Sequence, residues 1–325
     1  MPKIVGLGSA LPARKVGNEE LARDLGRSAA DIEAAFGVRE RSYAEAGQGP
    51  SDLAKLAAEG ALREASLSAT DVEFLIFATM TPDVTFPGAG CYLQEKLGCG
   101  TIGALDLRAQ CCGFLYAVDV ADQFLRSGSF RNVLVAAGDV HSSALDFSPR
   151  GADVTPLYGD GAAVMILDAA GDGILATVLH ADGTDLENFW CEFPSSRRLP
   201  TRFLPEDLKR AKHYPRIDAE RVRRDGKKQL REAIDEVLET ANVHARDVRR
   251  FFLHHIFRDV SSSVASGLDV ADRVTDRGDS AFIASASLPL ALAEARKAGT
   301  VSAGDLVCLA AAGAGATWGA TLLRL

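Results

Sequence analysis

The sequence predicts an α/β protein built from two similar halves, on three observations. Short apolar runs alternate with amphipathic stretches along the 325 residues, which is typical of strands and helices packed in layers. The block at 61–77 can be superposed without a gap on the block at 237–253, and each has the pattern of a helix, a turn and a buried strand. The segment LVAAG at 134–138 recurs as CLAAAG at 308–313. Internal duplication explains these repeats, and chance similarity of two generic helix-turn-strand units is the alternative.

The first half begins with a predicted strand and alternates from there. Strands are predicted at 3–11, 72–80, 101–107 and 132–140, because each is a short run of mainly apolar residues. A helix is predicted from about 112 to 126, in the amphipathic stretch that follows the third strand.

The second half repeats this rhythm. Strands are predicted at 173–181, 249–256 and 305–313, with helices near 219–240 and 285–298. The halves are assigned to 1–168 and 169–325, packed around a pseudo-twofold axis. A site at their junction would therefore take residues from both halves.

Composition excludes several classes of protein. A net charge of −8 and a pI near 5.4 argue against nucleic-acid binding, which needs a basic surface. No apolar run reaches the roughly 20 residues of a membrane span, and MPKIVGLGSALP does not have the pattern of a secretory signal. We therefore expect a cytoplasmic protein with reduced thiols. The cysteines and histidines lack zinc-site spacing, so neither a metal nor a cofactor is predicted.

The segment RAQCCGFLY at 108–116 is the first candidate for chemistry. Cys111 or Cys112 lies at the predicted N-terminus of a helix, where unpaired N–H groups and the helix dipole favour an anion. A thiolate there would have a depressed pKa, and Gly113 would allow close approach of a substrate. The alternative is a pair of packed cysteines at a tight turn.

A thiol nucleophile needs a base, and FFLHHIFRD at 251–259 offers one. His254 and His255 follow an apolar strand and should point to opposite sides, so at most one enters a given site. A hydrogen-bonded structural histidine is the alternative. The remaining histidines lie in polar or solvent-facing stretches and are predicted to be surface residues: His141, His180, His213 and His244.

DLRAQCCGFLYAVDVADQFLRSG resembles the nucleophile segment of the β-ketoacyl-ACP synthase III family, within the thiolase superfamily. Further segments follow in the family's order: KIVGLGSALP, FGVRERSYA, TPDVTFPG, YGDGAAVMIL, LHADG, FLHHIFRDV and GAGATWGATLLRL. The register puts the nucleophile on Cys111, with Cys112 as the small residue before Gly113, and puts the catalytic histidine on His254. The resemblance implies a thiolase-like, five-layered αβαβα fold from two duplicated halves.

The resemblance also implies a mechanism. Cys111 would take an acyl group from acyl-ACP or acyl-CoA, with the backbone N–H groups of Cys111 and Ala314 as the oxyanion hole. The acyl group would then be condensed with a malonyl-type extender in fatty acid or polyketide biosynthesis, and His254 would hold the enolate oxygen. Phe86 resembles the residue that relatives insert into the partner's acyl tunnel, which implies a homodimer.

One departure concerns the family's third catalytic residue, an asparagine. In DRGDSAFIASASLPLAL at 276–292, the helix register puts Phe282 at that position, and a register on Arg277 puts Ser280 there with Asp279 beside it. A ketosynthase-like acyltransferase that forms an ester or amide is therefore an alternative function, and a non-catalytic partner subunit of a heteromeric synthase is another.

A second departure concerns recognition of the acyl donor. Asp31 and Ala35 stand where relatives carry a tryptophan and an arginine that clamp the adenine of coenzyme A. An acyl carrier protein is the natural inference, with a basic stretch at 207–216 (Lys209, Arg210 and Lys212) as a contact surface or an ordinary solvated face. The segment 187–218 is the least family-like and is predicted to cap the substrate tunnel.

Overall fold

The computed structural model describes residues 2–197, 200–201, 204–275 and 280–325. The strands are β1 Lys3–Ala10, β2 Arg14–Gly17, β3 Glu40–Tyr43, β4 Phe74–Ala78, β5 Gly103–Leu107, β6 Asn132–Asp139, β7 Gly161–Asp168, β8 Ile174–Ala181, β9 Phe189–Trp190, β10 Arg216–Ile217, β11 Arg250–His254, β12 Val274–Thr275, β13 Leu306–Gly313 and β14 Thr317–Arg324. The α-helices are α1 Asn18–Leu25, α2 Ala29–Phe36, α3 Pro50–Ala65, α4 Ala89–Leu97, α5 Gly113–Arg126, α6 Pro205–Lys209, α7 Ala219–Thr240, α8 Arg258–Gly267 and α9 Ser287–Lys297.

Two five-stranded sheets have the same topology. The first has the order β1-β7-β6-β4-β5 and the second the order β8-β14-β13-β11-β12. In each sheet the first three strands pair antiparallel and the last three pair parallel. The superposed sequence blocks both contain a short 3₁₀ turn before the buried strand, at Ala69–Asp71 and Ala245–Asp247. The predicted duplication is confirmed.

The layers follow the order helix, sheet, helix, sheet, helix. Helices α3 and α4 pack on the outer face of the first sheet, and α7 packs on the second. Helices α5 and α9 lie between the sheets and contact strands of both. The apolar core around them joins Ile76 and Val133 of the first sheet to Phe252 and Leu309 of the second. The five-layered αβαβα fold is confirmed.

Helix α5 positions the predicted nucleophile. Its buried side chains include Phe114, Leu115, Val118 and Leu125, which recur at the spacing of one broad helical face. That face packs between the two sheets, because strands of both halves contact this helix. The N-terminus of this helix therefore lies at the junction of the two halves.

Among the described strands that were not assigned from the sequence, the longest are β7 and β14. β7 and β14 lie in the segments YGDGAAVMIL and GAGATWGATLLRL, which were matched to the family as motifs only. Each pairs on both sides in the middle of its sheet, so its residues are buried and lack the alternation that marks a half-exposed strand. Within the described part of the chain, no helix is both long enough and apolar enough to cross a bilayer.

Candidate active site

A strained turn holds the two cysteines. Gln110–Cys112 forms a 3₁₀ turn directly before α5, and Gln110 has a left-handed backbone with φ 46°. The duplicated turn before α9 repeats this feature, since Ala284 has φ 36°. A Cβ at residue 113 would lie 3.3 Å from the Cβ of Ala78 and 3.4 Å from that of Ser285, so Gly113 allows the two turns to pack closely.

Cys111 lies against the loop that follows β13. Its side chain is buried, and a Cβ on Gly313 would overlap its sulfur. The backbone N–H groups of Cys111 and Ala314 both face the Sγ atom, where they act to lower the pKa of the thiol. The structure thus brings together the residues that were predicted to form the oxyanion hole.

The pKa of Cys111 is opposite to the expectation from the helix N-terminus. Burial raises the pKa of this thiol to about 12, and the negative charge of Asp139 adds to the shift, while the two N–H groups oppose it. Removing a thiolate from water therefore outweighs the helix terminus. The prediction of a depressed pKa was therefore wrong.

Cys112 has a different environment. It is fully buried, and its thiol donates to the carbonyl of Thr317 at 3.2 Å and to that of Ala311 at 3.5 Å. Burial raises its pKa, and the charge of Cys111 adds to the shift. These contacts are those of a structural thiol in the core.

His254 and His255 diverge at the end of β11, as adjacent strand residues should. His254 pairs in register with Ala311 of β13 and is buried, 4% exposed. His255 packs on Gly226 of α7, and the Phe257 N–H donates to its Nδ1 at 3.1 Å. His254 therefore lies at the same edge of the second sheet as the Gly313 loop that covers Cys111.

The residue packed on His254 is Phe282. Their rings stack with centroids 4.5 Å apart and an interplanar angle of 15°. The backbone of Phe282 is fixed to the segment before β7, since its N–H donates to the Leu157 carbonyl at 2.8 Å. Ser280 is exposed and bridges to Glu40, away from this stack. Asp279 lies outside the described residues.

Asp139 joins the two halves beneath this site. This buried carboxylate at the end of β6 accepts the Met80 N–H at 2.8 Å and the Ser285 N–H at 3.1 Å. The Ser285 hydroxyl also donates to it, at 2.5 Å. It therefore ties the strand ends of the first half to the turn before α9.

His141 was predicted to lie on the surface, and that prediction was wrong. It follows β6, is only 5% exposed, and packs on the ring of Tyr158 with centroids 4.5 Å apart. Burial lowers the pKa of His141, although the charges of Asp139 and Asp160 oppose this. The sequence around His141 does not indicate this burial, because the residues that cover it come from a later segment.

Phe86 stands out on the surface of the first half. It is 80% exposed, and a cis peptide bond joins it to Pro87 before α4. Nearby, β5 is the edge strand of its sheet and is exposed over most of its length, including Leu105.

The predicted donor surface is less basic than its sequence suggests. Lys209 pairs with Glu206 at 3.4 Å, and Lys212 pairs with Glu192 at 2.8 Å. Asp31 and Ala35 are exposed on α2. Ala35 also lines a cleft of about 360 Å³ together with Arg223 of α7 and Phe257. The Arg223 guanidinium lies 3.7 Å from the centroid of the Phe257 ring.

The 187–218 segment is held by a small sheet of β9 and β10. Tyr214 and Pro215 line a cavity of about 230 Å³ with Arg150 and Val154, in the segment before β7. The segment therefore covers that part of the first half.

The duplicated αβαβα fold, with a buried cysteine at the start of a central helix, defines the chain as a thiolase-like enzyme. Family models match the chain twice, both described as 3-oxoacyl-[acyl-carrier-protein (ACP)] synthase III: residues 105–183 match the first model and residues 238–325 its C-terminal counterpart. Proteins named β-ketoacyl-[acyl-carrier-protein] synthase III are 37% identical in Rhizorhabdus wittichii and 35% identical in Thiobacillus denitrificans, with 99% of this chain and 98% of each relative covered. The chain belongs to the β-ketoacyl-ACP synthase III family, whose members are acyl-transferring condensing enzymes.

Solved structures agree with this assignment. The 3-oxoacyl-[acyl-carrier-protein] synthase III of Aquifex aeolicus superposes with a TM-score of 0.91 at 32% identity, and 100% of each chain is covered. The priming β-ketosynthase of the R1128 polyketide pathway superposes with a TM-score of 0.90 at 27% identity, covering 100% of this chain and 96% of that one.

Proposed function

We propose that Cys111 is the nucleophile of this condensing enzyme and carries the acyl group as a thioester. The observation that supports this most directly is the pair of N–H groups, from Cys111 and Ala314, on its sulfur. When the thiolate attacks an acyl thioester, a C–S bond forms and the oxygen of the tetrahedral intermediate needs such donors. The carrier thiolate then leaves and takes up the proton lost by Cys111.

In the second half-reaction, a malonyl-type thioester loses CO₂, and its enolate carbon attacks the acyl carbonyl on Cys111. A C–C bond forms, the C–S bond to Cys111 breaks, and the Cys111 thiolate leaves. His254 is the residue we assign to the enolate oxygen, through its Nε2–H. Phe282 supplies no donor at the position where the family carries an amide. Loss of one oxyanion donor costs about 10²–10³ in rate, so we expect slow condensation.

The absence of a hydrogen-bond donor on the Phe282 side chain favours a second candidate function, acyl transfer to a hydroxyl or amine. Such an acceptor brings its own nucleophile and needs a base but no enolate donor. His254 would take the acceptor's proton, and the acceptor oxygen or nitrogen would displace the Cys111 thiolate.

Product analysis separates the two candidates. The acylated enzyme is divided between malonyl-ACP and a panel of small alcohols and amines, and both CO₂ release and products are measured. Condensation predicts a β-ketoacyl product and stoichiometric CO₂. Ester or amide products without CO₂ would overturn condensation in favour of acyl transfer. If no donor acylates the enzyme in the first place, a non-catalytic partner subunit becomes the better account.

We further infer a homodimer. Phe86 is an exposed aromatic residue beside the edge strand β5, and exposed edge strands with apolar residues are normally covered. A second copy pairing on β5 would cover Leu105 and bring Phe86 to the partner's acyl site.

We also propose acyl-ACP over acyl-CoA as the donor, because the exposed α2 residues Asp31 and Ala35 cannot clamp an adenine ring.

The chain divides at 168/169 into two thiolase-like halves in this account. The segment 187–218 caps the substrate tunnel, and the enzyme acts in the cytoplasm.

A further inference from the structure

A buried imidazole lies near the nucleophile without a hydrogen bond on one nitrogen. His141 is 5% exposed, and its Nε2 has no hydrogen-bond partner among the described residues. Leaving a buried polar group unsatisfied is destabilising, and such groups are rare in native proteins. A ligand atom that completes the bond is a physical reason to keep one.

Tyr158 connects His141 to the nucleophile. The His141 ring packs on Tyr158 at 45°, and Tyr158 belongs to the same buried apolar cluster as Cys111. The charges of Cys111, Asp139 and Cys191 all act on the Tyr158 hydroxyl and, with burial, raise its pKa. Tyr158 therefore contacts His141 and lies within electrostatic range of the Cys111 thiol.

His141 does not lie on the side of the enolate. The edge of Phe282 meets Tyr158 at 5.4 Å between centroids, and the face of Phe282 stacks on His254. Two rings therefore separate His141 from His254. This placement favours the acyl chain on Cys111, and not an extender held by His254, as the group that meets His141 Nε2.

The charges around His141 restrict what it binds. Its backbone N–H donates to the buried carboxylate of Asp160 at 2.7 Å, and Asp139 also faces the imidazole. Burial favours the neutral ring over the cation. Two nearby carboxylates disfavour an anionic ligand, whereas a hydroxyl or ketone oxygen is neutral and hydrogen-bonds a neutral imidazole.

We propose that His141 Nε2 hydrogen-bonds a neutral oxygen on the acyl chain and so selects short acyl groups that carry a hydroxyl or ketone. His141 is a specificity-determining residue in this account. The proposal rests on the proposed role of Cys111 as the acyl carrier.

The test measures acylation rates by intact-protein mass spectrometry with matched thioester pairs. The pairs are butyryl with 3-hydroxybutyryl, pentanoyl with 4-oxopentanoyl, and hexanoyl with 5-oxohexanoyl, each on the same carrier. We expect at least one oxygenated donor to react about tenfold faster than its alkyl partner, the value of one hydrogen bond. Equal rates in every pair, or faster alkyl donors, would overturn the proposal.

His141→Leu should abolish this preference, and His141→Gln, which keeps a hydrogen-bonding group, should retain part of it. His244→Leu is a matched control, because His244 is exposed. Acylation of His141→Leu by acetyl thioester shows that the variant is folded, and a preference that survives in it would contradict the proposal. If no donor acylates the wild type, the role of Cys111 fails instead.

Discussion

The imidazole of His254 and the ring of Phe282 stack face to face, with centroids 4.5 Å apart. Both side chains are buried, and the backbone of Phe282 is anchored to the chain before β7. The stack holds the plane of the imidazole, and in the proposed register it places a hydrocarbon where the family carries an amide. Orientation of His254 is thus maintained without a second hydrogen-bond donor.

Phe282→Asn should increase malonyl-ACP decarboxylation and condensation at least about tenfold, because it restores a donor to the enolate oxygen. The same change should lower the melting temperature, since it removes a buried aromatic ring. Rates of CO₂ release are compared with Phe282→Leu, which loses the ring and gains no donor. An equal or lower rate for the asparagine variant would contradict the assignment of Phe282 to this position.

Gly313→Ala should reduce acylation of Cys111 by more than about 10²-fold, because the new methyl group would overlap the sulfur. Gly60→Ala is the matched control. Gly60 lies inside α3, and an added Cβ there meets no atom closer than 3.7 Å. The acylation rate of each variant is measured by mass spectrometry. A normal rate for Gly313→Ala would show that Cys111 does not lie against Gly313.

Alkylation of Cys111 by iodoacetamide should accelerate about tenfold per pH unit from pH 6 to 9, because only the thiolate reacts. The pKa of the buried thiol is raised from 9.0 to about 12, so the thiolate fraction is still rising throughout this range. Site-resolved mass spectrometry gives the rate at each pH. A plateau near neutral pH would instead indicate a thiolate stabilised by a cationic His254.

Leu105→Arg should convert the proposed dimer into a monomer, because a charge would be buried at the proposed β5 interface. Leu186→Arg is the control, since Leu186 is 57% exposed in another part of the chain. Sedimentation equilibrium gives the mass of each variant. A wild-type monomer, or a dimer that survives Leu105→Arg, would exclude this interface.

The fold could be predicted because the duplication leaves local patterns that survive in both halves. The 3₁₀ turns at 69–71 and 245–247 and the strands after them lie within the blocks that superpose in the sequence. The order of the family's motifs then gave the layered architecture, which the topology confirms.

The pKa of Cys111 and the burial of His141 could not be predicted, because both depend on contacts with residues that are distant in sequence. The thiol of Cys111 is covered by the Gly313 loop of the other half, and this desolvation determines its pKa. His141 was predicted to lie on the surface, yet Tyr158 covers it from a later segment. Neither the position of Cys111 at a helix N-terminus nor the polar sequence around His141 indicates such packing.

The central claim is that Cys111, and not its neighbour, carries the acyl group. Intact-protein mass spectrometry after incubation with acyl-ACP and acyl-CoA donors tests it on the wild type, Cys111→Ala and Cys112→Ala. The account predicts an acyl adduct on the wild type and on Cys112→Ala, and none on Cys111→Ala. An adduct that persists in Cys111→Ala but disappears in Cys112→Ala would contradict the account.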